Sequence, residues 1–411
     1  MKLLLVLALV VVTCCHAAAA APLYETEFVL PEERFFNHAP CIIELSNGDL
    51  LTSWYHGLDG NKGEVIIEGA RKLASSNAWS GRFTMADTPG YPDDNACMIL
   101  DSQGRLWLFW VTLLANEWQS ALLKYRISTD YQMPEGSPVW GWQEVLHVTP
   151  VDFEKQMKAG IERYLAAHPD LVEQFRTEVD EYTGRLLDRA ADKVQQRIGW
   201  MPRAHPTLLP RPTAGEQARP PAGGQALGRL IVPLYTDAFS ISVMAITDDG
   251  GKTWMTSNLI IGGGGIQPSV VRKSDGMLVA MMRSAGLEPR ILVSKSRDDG
   301  LTWSMPTTTD LPNPGAGVEV TRLANGHWAL VYNDAEKGRH TMAVAISDDE
   351  GETWKWQRHL EAVEAGRGYF AYPSIIQTRD GMMHVVYVFE MSAGRGIKHA
   401  AFNEEWVMEG D

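Results

Sequence analysis

Three eight-residue segments of one pattern constrain this chain most: TDDGGKTW (Thr247–Trp254), SRDDGLTW (Ser296–Trp303) and SDDEGETW (Ser347–Trp354). Their aspartates stand at 249, 298 and 349, so the pattern returns after 49 and 51 residues. Self-similarity at about 50 residues is the signature of supersecondary units stacked or set around an axis. Each octet reads as a turn, because Asp, Ser and Thr side chains bond nearby backbone amides and Gly accepts φ > 0. Thr and Trp then open the outgoing strand, with Trp large enough to fill the space between neighbouring sheets. The octet is a hairpin clamp and speaks to architecture, not to chemistry.

A second periodicity counts the units. Hairpin turns of the Asn-Gly or Asp-Gly kind, flanked by β-branched and aromatic runs, lie around Gly48, Gly104, Gly228, Gly276, Gly326 and Gly381. Six such hairpins predict an all-β fold, a six-bladed β-propeller, whose closure protects the sheet edges. The first two units keep only worn clamps, ASSNAWS near Trp79 and ISTD near Asp130. The interval between Gly104 and Gly228 is far longer than the others. Within it Met157, Ile161, Tyr164, Leu171, Phe175, Val179, Tyr182, Leu186, Val194 and Ile198 recur at helical spacing. Pro169 suits a first helical turn and not an interior. The reading is therefore two helices inserted in the third-blade region, about 153–198, and a Pro/Gly-rich surface loop over about 211–228. The helices are expected either to shade the mouth as a lid or to decorate the side of the ring.

Residues 1–21 have the form of an export signal: Lys2, an apolar stretch from Leu3 to Val12, and alanines ending at Ala21. The stretch is too short to span a bilayer, and Val12-Thr13 before Cys14 does not suit lipid anchoring. Residues 22–411 are thus expected to form one secreted or periplasmic domain. Its two cysteines, Cys41 and Cys97, sit in apolar strand-like runs, as one disulfide or as two buried thiols. No Cys/His spacing suggests zinc, and no cofactor or metal is expected. A formal net charge of −14 argues against nucleic acid and anionic membrane surfaces as partners.

Octets of this kind are Asp boxes, or BNR repeats, and three of them on six blades make the chain resemble the sialidase (neuraminidase) superfamily. The resemblance covers nearly all of residues 22–411 outside the helical stretch. It implies a site assembled from distant segments. His38-Ala39-Pro40 stands where the family has Arg-Ile-Pro, so His38 replaces an arginine that grips the sugar carboxylate. Asp59, in YHGLDGNKGEVIIEGARK, matches the acid/base aspartate. Gln267 takes the place of the glutamate that polarises the nucleophile, and Arg283, sixteen residues on, matches the second carboxylate-binding arginine. Arg339 fits the third arginine, and Tyr372, in YPSIIQ, fits the nucleophile.

The residues themselves bear on that site. Planar guanidinium forks suit a carboxylate, whereas His38 adds charge only when protonated. A tyrosine with a pKa near 10 needs a base or strong fields to attack an anomeric carbon. Gln267 can orient a hydroxyl but cannot take its proton, so Glu319 in GAGVEV or His38 is the expected base. Arg203 and His205, in WMPRAHPTLL, open the third blade as His38 opens the first, and Asp94-Asn95 open the second; these are expected at the same axial opening, with Gln267, as substrate-binding groups. The leading expectation is an exo-acting glycoside hydrolase that removes a terminal acidic sugar from a glycan or glycoconjugate, without a membrane span. The alternatives are a uronate-directed polysaccharide lyase or rhamnosidase-like enzyme using His38 or Tyr372 as base, and a non-catalytic glycan-binding propeller.

Overall fold

The apolar runs that flank the hairpin turns pair into six antiparallel sheets set as the blades of a six-bladed propeller. A computed structural model describes residues 21–59, 62–210, 228–392 and 394–411, with the backbone alone at 59, 62 and 63. The expected leader lies outside the described residues except for Ala21, and the expected loop over 211–228 except for Gly228.

The innermost strands of blades one to six are Phe36–Glu44, Asp93–Leu100, the split pair Met201–Pro202 and Thr207–Leu209, then Gly265–Arg272, Glu319–Arg322 and Tyr369–Gln377. The strand Tyr24–Glu33 pairs with the C-terminal strand Arg395–Phe402 as the outer edge of blade six. That pairing closes the ring with a strand that belongs to no hairpin of its own. Core packing runs between blades, so middle strands are buried on both faces and read as unbroken apolar runs. The second strand of blade two, LWLFWVTL over Leu106–Leu113, is buried at every position.

The three clamps are built alike. In the first, Asp249 accepts from Thr247 Oγ1 (2.9 Å), the Thr253 amide (2.9 Å) and Thr253 Oγ1 (2.6 Å). Asp298 and Asp349 repeat these bonds with Ser296/Thr302 and Ser347/Thr353. Hydrogen bonds from Thr353 bring the Asp349 carboxyl down to about 2. Gly351 adopts φ +84°, and a Cβ there would lie 2.8 Å from Cζ3 of Trp328, so both conformation and space require glycine.

Between blades two and three the chain forms four helices where the periodicity predicted two: α1 (Phe153–Ala167), α2 (Pro169–Gln174), α3 (Arg176–Ala191) and α4 (Lys193–Arg197). Pro169 occupies the first turn of α2, the position its ring tolerates. The helices lie on the mouth loops of blades three and four. Phe153 packs edge-on against Phe239 (5.1 Å between centroids), Gln156 Oε1 accepts from the Leu259 amide (2.8 Å), and Arg189 donates to the Ala238 carbonyl (3.1 Å). Gly160 permits the approach of α1, since a Cβ there would meet Ile261 at 2.5 Å.

Cys41 and Cys97 are separate buried thiols. Among the described residues no helix is long and apolar enough to cross a membrane, and no group of three or more His, Cys, Asp or Glu could hold a metal ion.

Candidate active site

Four of the six innermost strands break register at the same level. The pairing shifts between His38 and Cys41, Asp94 and Cys97, Ile266 and Ser269, and Ala371 and Ser374. Each bulge holds one non-glycine residue in the left-handed region: Ala39 (φ 48°), Asn95 (48°), Gln267 (55°) and Tyr372 (53°). Blade three interrupts its inner strand at the same height, between Pro202 and Thr207. A bulge re-aims the side chains around it, and left-handed backbone outside glycine is costly enough to concentrate at functional sites. The ring of bulges turns side chains from five blades toward the axis.

Tyr372 stands at the centre of what they build. Arg283 Nη1 donates to its hydroxyl at 3.4 Å, and the Arg339 and Arg203 guanidinium carbons lie 5.1 and 5.3 Å from its ring centre. The His38 ring meets it edge-on at 4.3 Å. Burial alone would raise the Tyr372 pKa. The charges of Arg283, Arg339 and Arg203 overcome that effect and hold it at about 8. Arg339 is oriented by Tyr369 Oη (2.6 Å) and the Gly315 carbonyl (2.9 Å), and Arg203 by the Pro373 carbonyl (2.9 Å).

Around this centre lie polar atoms with no protein partner. Gln267 Nε2 donates to Tyr235 Oη at 3.1 Å, which also accepts from Asn95 Nδ2 at 3.0 Å, while Gln267 Oε1 is unpaired. A Cβ at Gly317 would lie 3.2 Å from both that oxygen and Tyr372 Cδ1, so glycine lets the two side chains converge. Asp94 is buried with both carboxylate oxygens unpaired, and burial followed by the neighbouring Asp93 pushes its pKa well up.

One open point is answered, the charge of His38, and two expectations need correction, Glu319 as base and His205 as a sugar contact. His38 does not add a cation: burial and the charges of Arg395, Arg339, Arg203 and Arg283 press its pKa well below the usual value, so the ring is neutral. Glu319 is not poised as a base for Tyr372. Its Oε1 accepts from the His205 amide (2.7 Å) and Nδ1 (2.9 Å), and its Oε2 from the Ile375 amide (3.0 Å). His205 in turn reaches the Ile42 carbonyl (2.7 Å) and Cys41 Sγ (3.4 Å). The pair therefore ties blades one, three, five and six together beyond the bulges, with an opposite-face cavity of about 420 Å³ beneath it, and His205 is a strut rather than a sugar contact. The Asp59 side chain lies outside the described residues, although its backbone ends the second strand of blade one.

The chain's repeats match the family model of the BNR repeat-like domain over residues 220–385. The anhydrosialidase of the leech Macrobdella decora is 24% identical over 200 residues, covering 44% of this chain and 25% of that protein. The chain thus spans about a quarter of that relative's length. In fold, the intramolecular trans-sialidase of Ruminococcus gnavus agrees with a TM-score of 0.64 at 12% identity, covering 91% of this chain and 95% of that one. The NanB sialidase of Streptococcus pneumoniae agrees with a TM-score of 0.63 at 12% identity, covering 92% and 69%. The chain thus carries a BNR repeat-like domain and shares the propeller fold of these sialidases.

The superfamily pattern led to His38, Gln267, Arg283, Arg339 and Tyr372, which do meet, as does Arg203. It did not lead to the aromatic wall. Tyr55 faces His38 edge-on at 5.4 Å, Tyr369 orients Arg339, and Arg395 stacks on Phe36 and Tyr369 at 4.2 and 4.7 Å. One signal was available. Proline in a strand interior marks a bulge, and Pro40, Pro268 and Pro373 each follow a left-handed residue.

Proposed function

We propose that this protein is a glycosidase that removes a terminal acidic sugar, with Tyr372 as nucleophile. The observation that carries this reading is the convergence of Arg203, Arg283 and Arg339 on one phenol whose pKa is thereby brought to about 8. A lowered pKa is one of the recognised ways to activate a nucleophile. Electrostatics here does the work of a proton-accepting neighbour, which neither Gln267 nor the committed Glu319 can supply. Arg283 and Arg339 hold the sugar carboxylate by their forks. Asp94 and Gln267 meet ring hydroxyls or amide groups through their unpaired oxygens.

In the first step the Tyr372 oxygen forms a bond to the anomeric carbon as the glycosidic C–O bond breaks. Asp59 gives its proton to the departing oxygen. In the second step water attacks the same carbon, returns a proton to Asp59 and releases the phenolate. The sugar leaves with its anomeric configuration retained. Residues 1–21 as an export leader fit action on glycans outside the cytoplasm.

Incubation with methyl ketosides of N-acetylneuraminic acid and with uronate oligosaccharides, followed by NMR of the products, tests the reading. Release of the free sugar, or of an anhydro sugar formed when the substrate's own hydroxyl replaces water, supports it. An unsaturated uronate product would mean a lyase, and binding without turnover a glycan-binding propeller; either outcome overturns it.

A further inference from the structure

Beside the cationic pocket lies a second space of opposite chemistry. Helices α1 to α3 and the mouth loops of blades three and four enclose a cavity of about 610 Å³. Its helical wall is mainly apolar, with Leu165, Leu171 and Phe175 among its residues beside Glu178 and Arg185, and the opposite wall includes Phe239, residues 262–264 and residues 285–287. The two spaces share strands. Ala285 follows Arg283 by two residues, Gly264 precedes Gln267 by three, and Phe239 follows Asp237 by two. Asp237 in turn stands near enough to Arg283 for the guanidinium to oppose the upward pressure of burial on its carboxyl.

The glycines fix this wall. Gly262, Gly263 and Gly264 all have positive φ, and a Cβ at Gly264 would lie 2.6 Å from the Gly286 amide nitrogen. The loops before and after the Gln267 and Arg283 strands therefore press together backbone to backbone. At the opening, Phe175 is 39% exposed, Tyr182 50% and Leu287 82%, large apolar side chains left in contact with water. A space of this size suits one small molecule or one chain, whereas a helix needs a channel roughly 10 Å across.

We propose that this groove is an aglycone subsite that takes an alkyl or acyl chain, so that the substrates are amphiphilic glycoconjugates with an acidic sugar at one end and an apolar chain at the other. The occupant follows from continuity: a molecule whose sugar fills the pocket meets the groove within a few residues of Arg283. The inference rests on the reading of the pocket as an acidic-sugar site.

The test compares methyl and octyl ketosides of N-acetylneuraminic acid in the wild type and in the double variant Phe175→Asp/Tyr182→Asp. Both substitutions lie at exposed positions, Phe175 between α2 and α3 and Tyr182 within α3, and circular dichroism checks that the variant folds. The wild type should prefer the octyl ketoside by roughly tenfold or more in kcat/KM, since each buried methylene favours binding. The variant should bring that ratio near one and leave the methyl ketoside unchanged. In parallel, saturation-transfer NMR with monomeric octyl glucoside, which has no acidic sugar, should show contact of its chain with the wild type and not with the variant. If neither ketoside turns over while the octyl chain still binds, the glycosidase reading fails and the apolar site stands. A wild-type ratio near one with no octyl contact overturns the inference. So does a wild-type dimer that the variant dissolves without octyl contact, which assigns the face to a second copy.

Discussion

The two faces of the ring use irregular backbone in opposite ways. On the clamp face the left-handed turns end on glycine, at Gly251, Gly300 and Gly351, with Asp299 and Glu350 also left-handed just before the last two, and each clamp aspartate is saturated by nearby donors. On the mouth face the left-handed positions are Ala39, Asn95, Gln267 and Tyr372, and the polar atoms nearby are left without protein partners: His38 Nδ1, Gln267 Oε1, Arg203 Nε, Arg283 Nε and both Asp94 oxygens. Buried polar atoms without partners are costly. Both faces hold left-handed residues, but one spends its hydrogen bonds on holding the ring and the other keeps unspent hydrogen-bonding capacity where a ligand can use it.

That contrast can be broken at four places, beginning with the largest effect. Tyr372→Phe removes one hydroxyl from the mouth face and should lower kcat by on the order of 10³-fold or more, with the melting temperature nearly unchanged. Steady-state kinetics together with thermal unfolding checks both halves. Gly351→Ala acts on the clamp face alone. It strains a φ of +84° and drives a Cβ against buried Trp328, so chemical denaturation should show a loss of roughly 2–3 kcal/mol while kcat of the remaining folded protein stands.

Arg283→Lys replaces a fork with a point charge. A loss of roughly 1.5–3 kcal/mol in kcat/KM, with a raised KM, is expected for a charged hydrogen bond to substrate. Smallest is Ala39→Gly. It relieves left-handed strain at φ 48° but gains backbone entropy in the unfolded chain, so stability should change by less than about 1 kcal/mol. A large loss there would mean that Ala39 is held by packing and not strained.

The same contrast explains what the sequence could disclose. The clamp face is local: an Asp, a Gly and a Trp within eight residues carry their own turn chemistry, so the octets were legible, as were the hairpin turns at Gly48, Gly104, Gly276, Gly326 and Gly381, while the one expected around Gly228 falls in a connection mostly outside the described residues. The closing strand Tyr24–Glu33 was not, because it pairs with residues some 370 positions away and has no turn beside it. On the mouth face, Arg283, Arg339 and Tyr372 could be placed only through the resemblance to the sialidase pattern. Glu319 and His205 were misassigned because chain position does not say on which side of the bulge level a side chain falls. The charge state of His38 was left open for a related reason. His38 is neutral because it is buried and four arginines from blades three to six surround it, a setting visible only once the blades close.

The most direct test of the central claim, that the mouth face holds an activated phenol, is a pH titration of phenolate absorbance as a difference between wild type and Tyr372→Phe. The sign is fixed by the lowered pKa. Phenolate, and with it kcat/KM, should rise as pH rises through about 8. The folded state then binds fewer protons than the unfolded chain between about 8 and the ordinary value near 10. The stability contributed by Tyr372 is therefore complete above that ordinary value and lost as pH falls through about 8. The account predicts one extra phenolate appearing with a midpoint near 8 in the wild type and absent from the variant. A difference spectrum that stays flat until the pH reaches the ordinary tyrosine range near 10 would contradict it.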